Sequence, residues 1–173
     1  MHGADLLSPP IESRADLVDV LARGCKPRER WRIGTEHEKP VFHTRPLRPV
    51  SYAEPHGIRA LLDAVAEKTG WHPIWDNDAV IGLKGGPGEG AISLEPGGQF
   101  ELSGAPLETV HEAAREVALH LSLVKALGAP LDIHFLGLGL TPLWSVKDIP
   151  AVPKSRYGIM TPYMEKVGTL GTT

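Results

Sequence analysis

The sequence predicts an α+β fold, an antiparallel β-sheet with helices packed on one face. Three observations lead there. Between Trp71 and Ser103 short extended runs alternate with turn chemistry. Two stretches, 58–66 and 110–124, repeat apolar residues at helical spacing. The chain has 173 residues, 42% hydrophobic and 23% charged, enough to bury one core.

Residues 1–30 read as a leader and a covering helix. MHGADLLSPP lacks the basic start, apolar middle and small-residue cleavage site of a secretory signal, so a loose leader is expected. Ser13 is placed to cap a helix from Asp16 to Ala22, with Leu17, Val18 and Leu21 as its apolar stripe and Gly24 as its stop. Residues 31–173 read as one further unit. Trp31 to His43 is extended and turns proline-rich at Pro40, Pro46 and Pro49, as for a strand leaving a sheet edge. Ile58, Leu61, Leu62, Val65 and Ala66 line a helix closed by Gly70.

A meander follows, with turns at Asp76-Asn77-Asp78, Gly85 to Gly90 and Pro96-Gly97-Gly98. Pro106 is expected to open the longest helix, with Val110, Ala113, Ala114, Val117, Leu121 and Val124 facing the sheet and Glu108, Glu112, Arg115 and Glu116 outside. Leu131 to Leu140 reads as an apolar strand, left open on one side by Gly137 and Gly139, and Ser155 to Met164 as a last short helix.

The formal charge is -3, from 18 basic and 21 acidic residues spread along the chain, so no basic face points to nucleic acid. No apolar run reaches the roughly 20 residues that span a bilayer, so no membrane partner is expected. The single Cys25 closes no intrachain disulfide, which fits a reducing compartment, and a cytoplasmic location is expected.

Chemistry concentrates in two acidic stretches. On a strand successive side chains alternate faces, so Glu36 and Glu38 project to one side, roughly 6 to 7 Å apart at their Cα atoms. Glu95 and Glu101 flank a tight turn, and Gln99 shares a face with Glu101. Such oxygen ligands suit Mg²⁺, which keeps part of its shell for water and substrate phosphates. The alternative is a solvated face whose glutamates pair with Arg32, Lys39 or Lys84 at little gain.

His37 faces away from both glutamates, and no HExxH helix is present, so a packing histidine is expected rather than a zinc hydrolase. Gly85 to Gly90 lacks the Lys-Ser/Thr ending of a P-loop and reads as a hairpin turn. Lys154, Arg156 and Tyr157 either bind a substrate carboxylate or phosphate or form a solvated cluster.

Arg32-Ile33-Gly34-Thr35-Glu36-His37-Glu38-Lys39 and the run from Ser93 to Glu108, SLEPGGQFELSGAPLE, closely resemble the glutamate–cysteine ligases of the plant and proteobacterial type. The resemblance continues through Phe135 to Gly139, Asp148-Ile149-Pro150, Pro153 to Tyr157 and Tyr163 to Gly171. It implies part of a glutamine-synthetase-like catalytic fold, with an open sheet face carrying a magnesium cluster. It implies Mg²⁺ and ATP, with glutamate and cysteine as substrates joined through a γ-glutamyl phosphate, the first step of glutathione biosynthesis.

Glu36, Glu38, Glu95 and Glu101 match the family's magnesium-binding acids, with Gln99 as a neighbour; Gln99, Lys154, Arg156 and Tyr157 are the candidate substrate-binding residues. No protein nucleophile is needed. Pro40 departs from an aromatic residue in the family, which an edge strand tolerates. The family is much longer than this chain, which is therefore expected to be the N-terminal part of an incomplete catalytic domain, self-associating through an uncovered edge. Two alternatives stay open: a non-catalytic homologue serving as a binding or dimerisation module, and a carboxylate–amine ligase with another amine acceptor.

Overall fold

The structure, a computed structural model, describes residues 10–170. The first nine residues of the expected leader lie outside them. The chain divides into two compact units, Met1–Arg32 and Ile33–Thr173.

The first unit holds helix α1, Arg14–Ala22. Ser13 caps it as expected: its hydroxyl accepts the Asp16 N–H, and the Asp16 carboxylate accepts the Ser13 N–H at 2.7 Å. None of its residues is buried, and the predicted stripe of Leu17, Val18 and Leu21 is exposed.

The second unit contains two antiparallel sheets where one was expected. The five-stranded sheet has the order β1-β7-β6-β5-β4, built from β1 (Glu36–His37), β4 (His72–Asp76), β5 (Ala79–Lys84), β6 (Ala91–Glu95) and β7 (Gln99–Ser103). The three-stranded sheet has the order β3-β2-β8, from β2 (Val41–Thr44), β3 (Leu47–Pro49) and β8 (Ile133–Phe135). Pro40 marks the hand-over. The Lys39 carbonyl accepts the Phe100 N–H of one sheet at 2.8 Å, and the Pro40 carbonyl accepts the Leu136 N–H beyond β8 at 3.1 Å. A residue without an N–H is tolerated where a strand changes partners.

The expected turns are all present. Asn77 takes a positive φ between β4 and β5, and Gly97 and Gly98 take φ of 76° and 77° between β6 and β7. Helix α2, Ile58–Thr69, buries Ile58, Leu61, Leu62 and Val65 and ends on left-handed Gly70. These side chains meet Leu94, Phe100 and Ile92 from the five-stranded sheet, Val41 and Ile133 from the other, and Val50 just after β3 in one shared core.

Helix α3, Val110–Gly128, starts later than Pro106 suggested. Leu107 is held extended by paired backbone bonds to Ile33, and the first usable cap is Thr109, which forms a capping box with Glu112. Its buried face is Ala113, His120, Val124 and Gly128, so Val110 is exposed and Glu116 is partly buried rather than outside. The expected strand over 131–140 shortens to β8. Helix α4, Ser155–Val167, runs beyond Met164 with Pro162 inside it.

Candidate active site

Register builds the site. Glu36 lies opposite Ser103, Ser93 opposite Glu101, and Glu95 opposite Gln99. With period-two alternation, Glu36, Ser103, Glu101, Gln99, Ser93 and Glu95 share one face of the five-stranded sheet, and Leu94, Phe100, Ile92 and Leu102 occupy the other, against the core. Glu38, two residues after Glu36, belongs to the same face. Burial first, then the charges of Glu101, Glu95 and Glu36, raise its carboxyl above the ordinary value. Glu38 therefore feels acids from both stretches of sequence.

Each acid is held differently. Glu101 is buried; the Ser93 hydroxyl donates to its Oε2, and the Ser103 hydroxyl donates to its Oε1 at 3.1 Å. Glu95 gathers three of the four residues expected to bind substrate. Lys154 Nζ lies 3.5 Å from Oε1, the Tyr157 hydroxyl donates to Oε2 at 3.1 Å, and Arg156 Nη2 lies 3.6 Å from Oε2. The Lys154 and Arg156 cations also sit over the Tyr157 ring, at 5.5 and 5.1 Å. Lys154 and Tyr157 are buried in this arrangement, whereas the Arg156 side chain is 65% exposed. A small cavity of about 260 Å³ opens beside Glu36 and Ser103. A cleft of about 1230 Å³ is lined by Gln99, Lys154, Tyr157, Trp144 and Asp76 among others, and lies beside the acids rather than over them.

The residues suit a hard cation in kind, since every donor on the face is oxygen. Among the described residues no three His, Cys, Asp or Glu side chains are grouped tightly enough to hold a metal ion. Like charges on the face repel one another, which adds to burial in raising Glu38.

Behind β1 the environment inverts. Lys39, one of the cations that could have paired with the glutamates on a solvated face, is 1% exposed and donates to the His37 carbonyl at 2.5 Å. Burial lowers its ammonium to about 8, opposed by Glu101 and Glu38. His37 packs away from the acids as expected, and its Nδ1 is buried with no hydrogen-bond partner among the described residues, as are His120 Nε2 and Glu116 Oε2. His120 stacks on Phe100, and burial, with Lys39 and His37, pushes it down to about 3. Sequence reasoning passed over Ser93 and Ser103. Their signal was strand parity: each stands two residues from an acid and directly across from another.

Residues 32–173 match the family described as glutamate-cysteine ligase family 2 (GCS2). The chain is 52% identical over 178 residues to "Glutamate--cysteine ligase A, chloroplastic" of Oryza sativa subsp. japonica, covering 98% of this chain and 35% of that protein. It is 51% identical to the chloroplastic glutamate–cysteine ligase of Medicago truncatula and 50% to that of Arabidopsis thaliana, each over 173 residues, covering 95% of this chain and 33% and 32% of theirs. It thus spans about a third of the length of the curated relatives it matches. The expected cytoplasmic location is overturned by these relatives, all named chloroplastic. A lone cysteine speaks only to thiol redox state, which does not single out one reducing compartment. On the match across 32–173 and on identities of half or more, the chain belongs to glutamate-cysteine ligase family 2.

Proposed function

We propose that this chain forms one wall of the active centre of an ATP-dependent glutamate–cysteine ligase. The observation that carries the reading is the register that brings Glu36 onto the same sheet face as Glu95 and Glu101, with Glu38 near enough for their charges to act on it. In the reaction a γ-carboxylate oxygen of glutamate attacks the γ-phosphorus of ATP and ADP leaves. The amino nitrogen of cysteine then attacks the acyl carbon of the γ-glutamyl phosphate, and inorganic phosphate leaves as the amide forms and the nitrogen loses its proton. Both steps bring anions together, so charge stabilisation and alignment dominate catalysis. Glu36, Glu38, Glu95 and Glu101 would hold Mg²⁺, which when bound supplies positive charge at the phosphates.

The chain's other residues divide the remaining work. Lys154 and Tyr157 hold Glu95 in place, since both are buried against it. Arg156, whose guanidinium touches Glu95 and Tyr157 but stays 65% exposed, has donors to offer a substrate carboxylate or phosphate, and Gln99 contributes to the wall of the cleft. The sheet itself would form part of a glutamine-synthetase-like catalytic fold.

The test is coupled ADP release by the protein carrying this chain. Release that requires both glutamate and cysteine, and that falls about 100-fold or more in Glu36→Gln and Glu101→Gln, supports the reading. Normal turnover in those variants refutes it, and release with another amine in place of cysteine moves the chain to a different carboxylate–amine ligase.

A second reading is a non-catalytic binding or dimerisation module. It is favoured by the exposed apolar side chains Ile159, Tyr163, Val167 and Leu170 in and after α4. Binding of Mg²⁺ and ATP by calorimetry without turnover, together with dimers in sedimentation, supports it; turnover by a monomer excludes it.

A further inference from the structure

We infer that Ser93 and Ser103 are positioning residues that fix the carboxylate plane of Glu101 and, through Ser93, couple it to Glu95. This rests on the reading of those acids as cation ligands.

The sheet face is laid out so that a serine stands between acids in both directions. Ser93 has Glu101 across the β6–β7 ladder and Glu95 two residues along its own strand. Ser103 has Glu36 across the β1–β7 ladder and Glu101 two residues along. The hydroxyls use this placement. Ser93 Oγ is within hydrogen-bond reach of both Glu101 Oε2 and, at 3.3 Å, Glu95 Oε1, while Ser103 Oγ donates to Glu101 Oε1. A hydroxyl carries one proton, so Ser93 serves one carboxylate at a time, and the shorter contact is with Glu101.

Glu101 therefore receives one hydroxyl on each oxygen. Two donors on opposite oxygens stop rotation about the terminal torsion, which is otherwise broad for a glutamate. Glu101 is only 7% exposed, so solvent does little to replace a lost donor. Glu95 retains Lys154 and Tyr157 whichever way the Ser93 proton points. Hydrogen-bond partners that orient a metal-ligating carboxylate typically change metal affinity by about 10- to 100-fold when removed.

The test is Mn²⁺ titration of the protein carrying this chain, read by electron paramagnetic resonance of the free ion, with a thermal melt of every variant. Ser93→Ala is expected to weaken Mn²⁺ binding by about 10- to 100-fold. Ser93→Thr restores it, because the hydroxyl returns. Ser103→Ala weakens it as well, and serves as the reporter if Ser93→Ala fails to melt cooperatively. A Ser93→Ala or Ser103→Ala chain that melts like the parent and binds Mn²⁺ with the parent's affinity overturns the inference. A parent chain that binds no Mn²⁺ overturns the assignment of the acids themselves, and this inference with it.

Discussion

Replacing Glu54 by Gln tests how the loop between β3 and α2 is pinned. Glu54 Oε1 accepts the Ser51 N–H at 2.6 Å and Arg48 Nη1 at 3.0 Å and lies 3.3 Å from His43 Nε2, while Oε2 accepts Arg48 Nη2 at 2.5 Å. The Arg48 guanidinium above all, with Ser51 and His43, lowers the Glu54 carboxyl from its ordinary 4.5 to about 2 against an opposing effect of burial. At about 1.4 kcal/mol per pKa unit that gap corresponds to roughly 3 kcal/mol. The Arg48 and Glu54 side chains are 40% and 21% exposed. Solvent screening brings the contribution down to about 1.5–2 kcal/mol. Because the folded-state value lies below the unfolded one, the stabilisation is complete above about pH 4.5 and is lost as pH falls toward 2. Urea denaturation followed by circular dichroism should place Glu54→Gln about 1.5–2 kcal/mol below the parent near pH 7, with the gap shrinking to less than half near pH 3. A gap of the same size at both pH values would refute the ionic account.

Leu62 is fully buried, so Leu62→Ala should cost about 3 kcal/mol by chemical denaturation; a loss under about 1 kcal/mol would mean the core is not packed as described. Gly98 has φ of 77°, and a Cβ there would lie 2.4 Å from Ile58 Cδ1, so Gly98→Ala should lower stability by more than about 1 kcal/mol, read as a fall in melting temperature. Asp76 Oδ2 accepts the Ser155 N–H at 2.6 Å at the start of α4, so Asp76→Ala should speed amide exchange in the first turn of α4 and leave α2 unchanged. The Ser155 contacts depress the Asp76 carboxyl, so in the parent this protection is present above the ordinary 3.8 and is lost as pH falls through the lowered value. Glu38→Gln removes a charge that three neighbouring acids oppose, so without divalent ions it should raise the melting temperature near neutral pH; an unchanged or lower value would argue against the crowding.

What was legible in the sequence was local. The meander, its turns and the α2 stripe follow from periods of two and 3.6 and from residues that tolerate positive φ, and the shared face of the acids follows from strand parity. The second sheet was hidden because β2 finds β8 far along the chain, a pairing no local pattern encodes. The start of α3 was misread because Pro106 is a permissive first-turn residue, whereas the Ile33–Leu107 bridge keeps that segment extended and Thr109 with Glu112 supplies the actual cap. Its buried face was misplaced because His120 and Glu116 turn inward, which a count of apolar residues cannot anticipate. The convergence of Lys154, Arg156 and Tyr157 on Glu95 depends on where α4 sits against β6, so their residue types alone left it open.

The change of partners at Lys39 and Pro40 also sets an order of assembly. Glu95 and Glu101 ride on one hairpin and meet as soon as its short turn closes. Glu36 and Glu38 reach them only when β1 finds β7 across a long stretch of chain, and the very next strand must find β8. Loop-closure entropy and non-local pairing place that event late in folding. The acids of the two stretches therefore come onto one face only with the non-local β1–β7 pairing, so their placement depends on the whole fold and not on the hairpin alone.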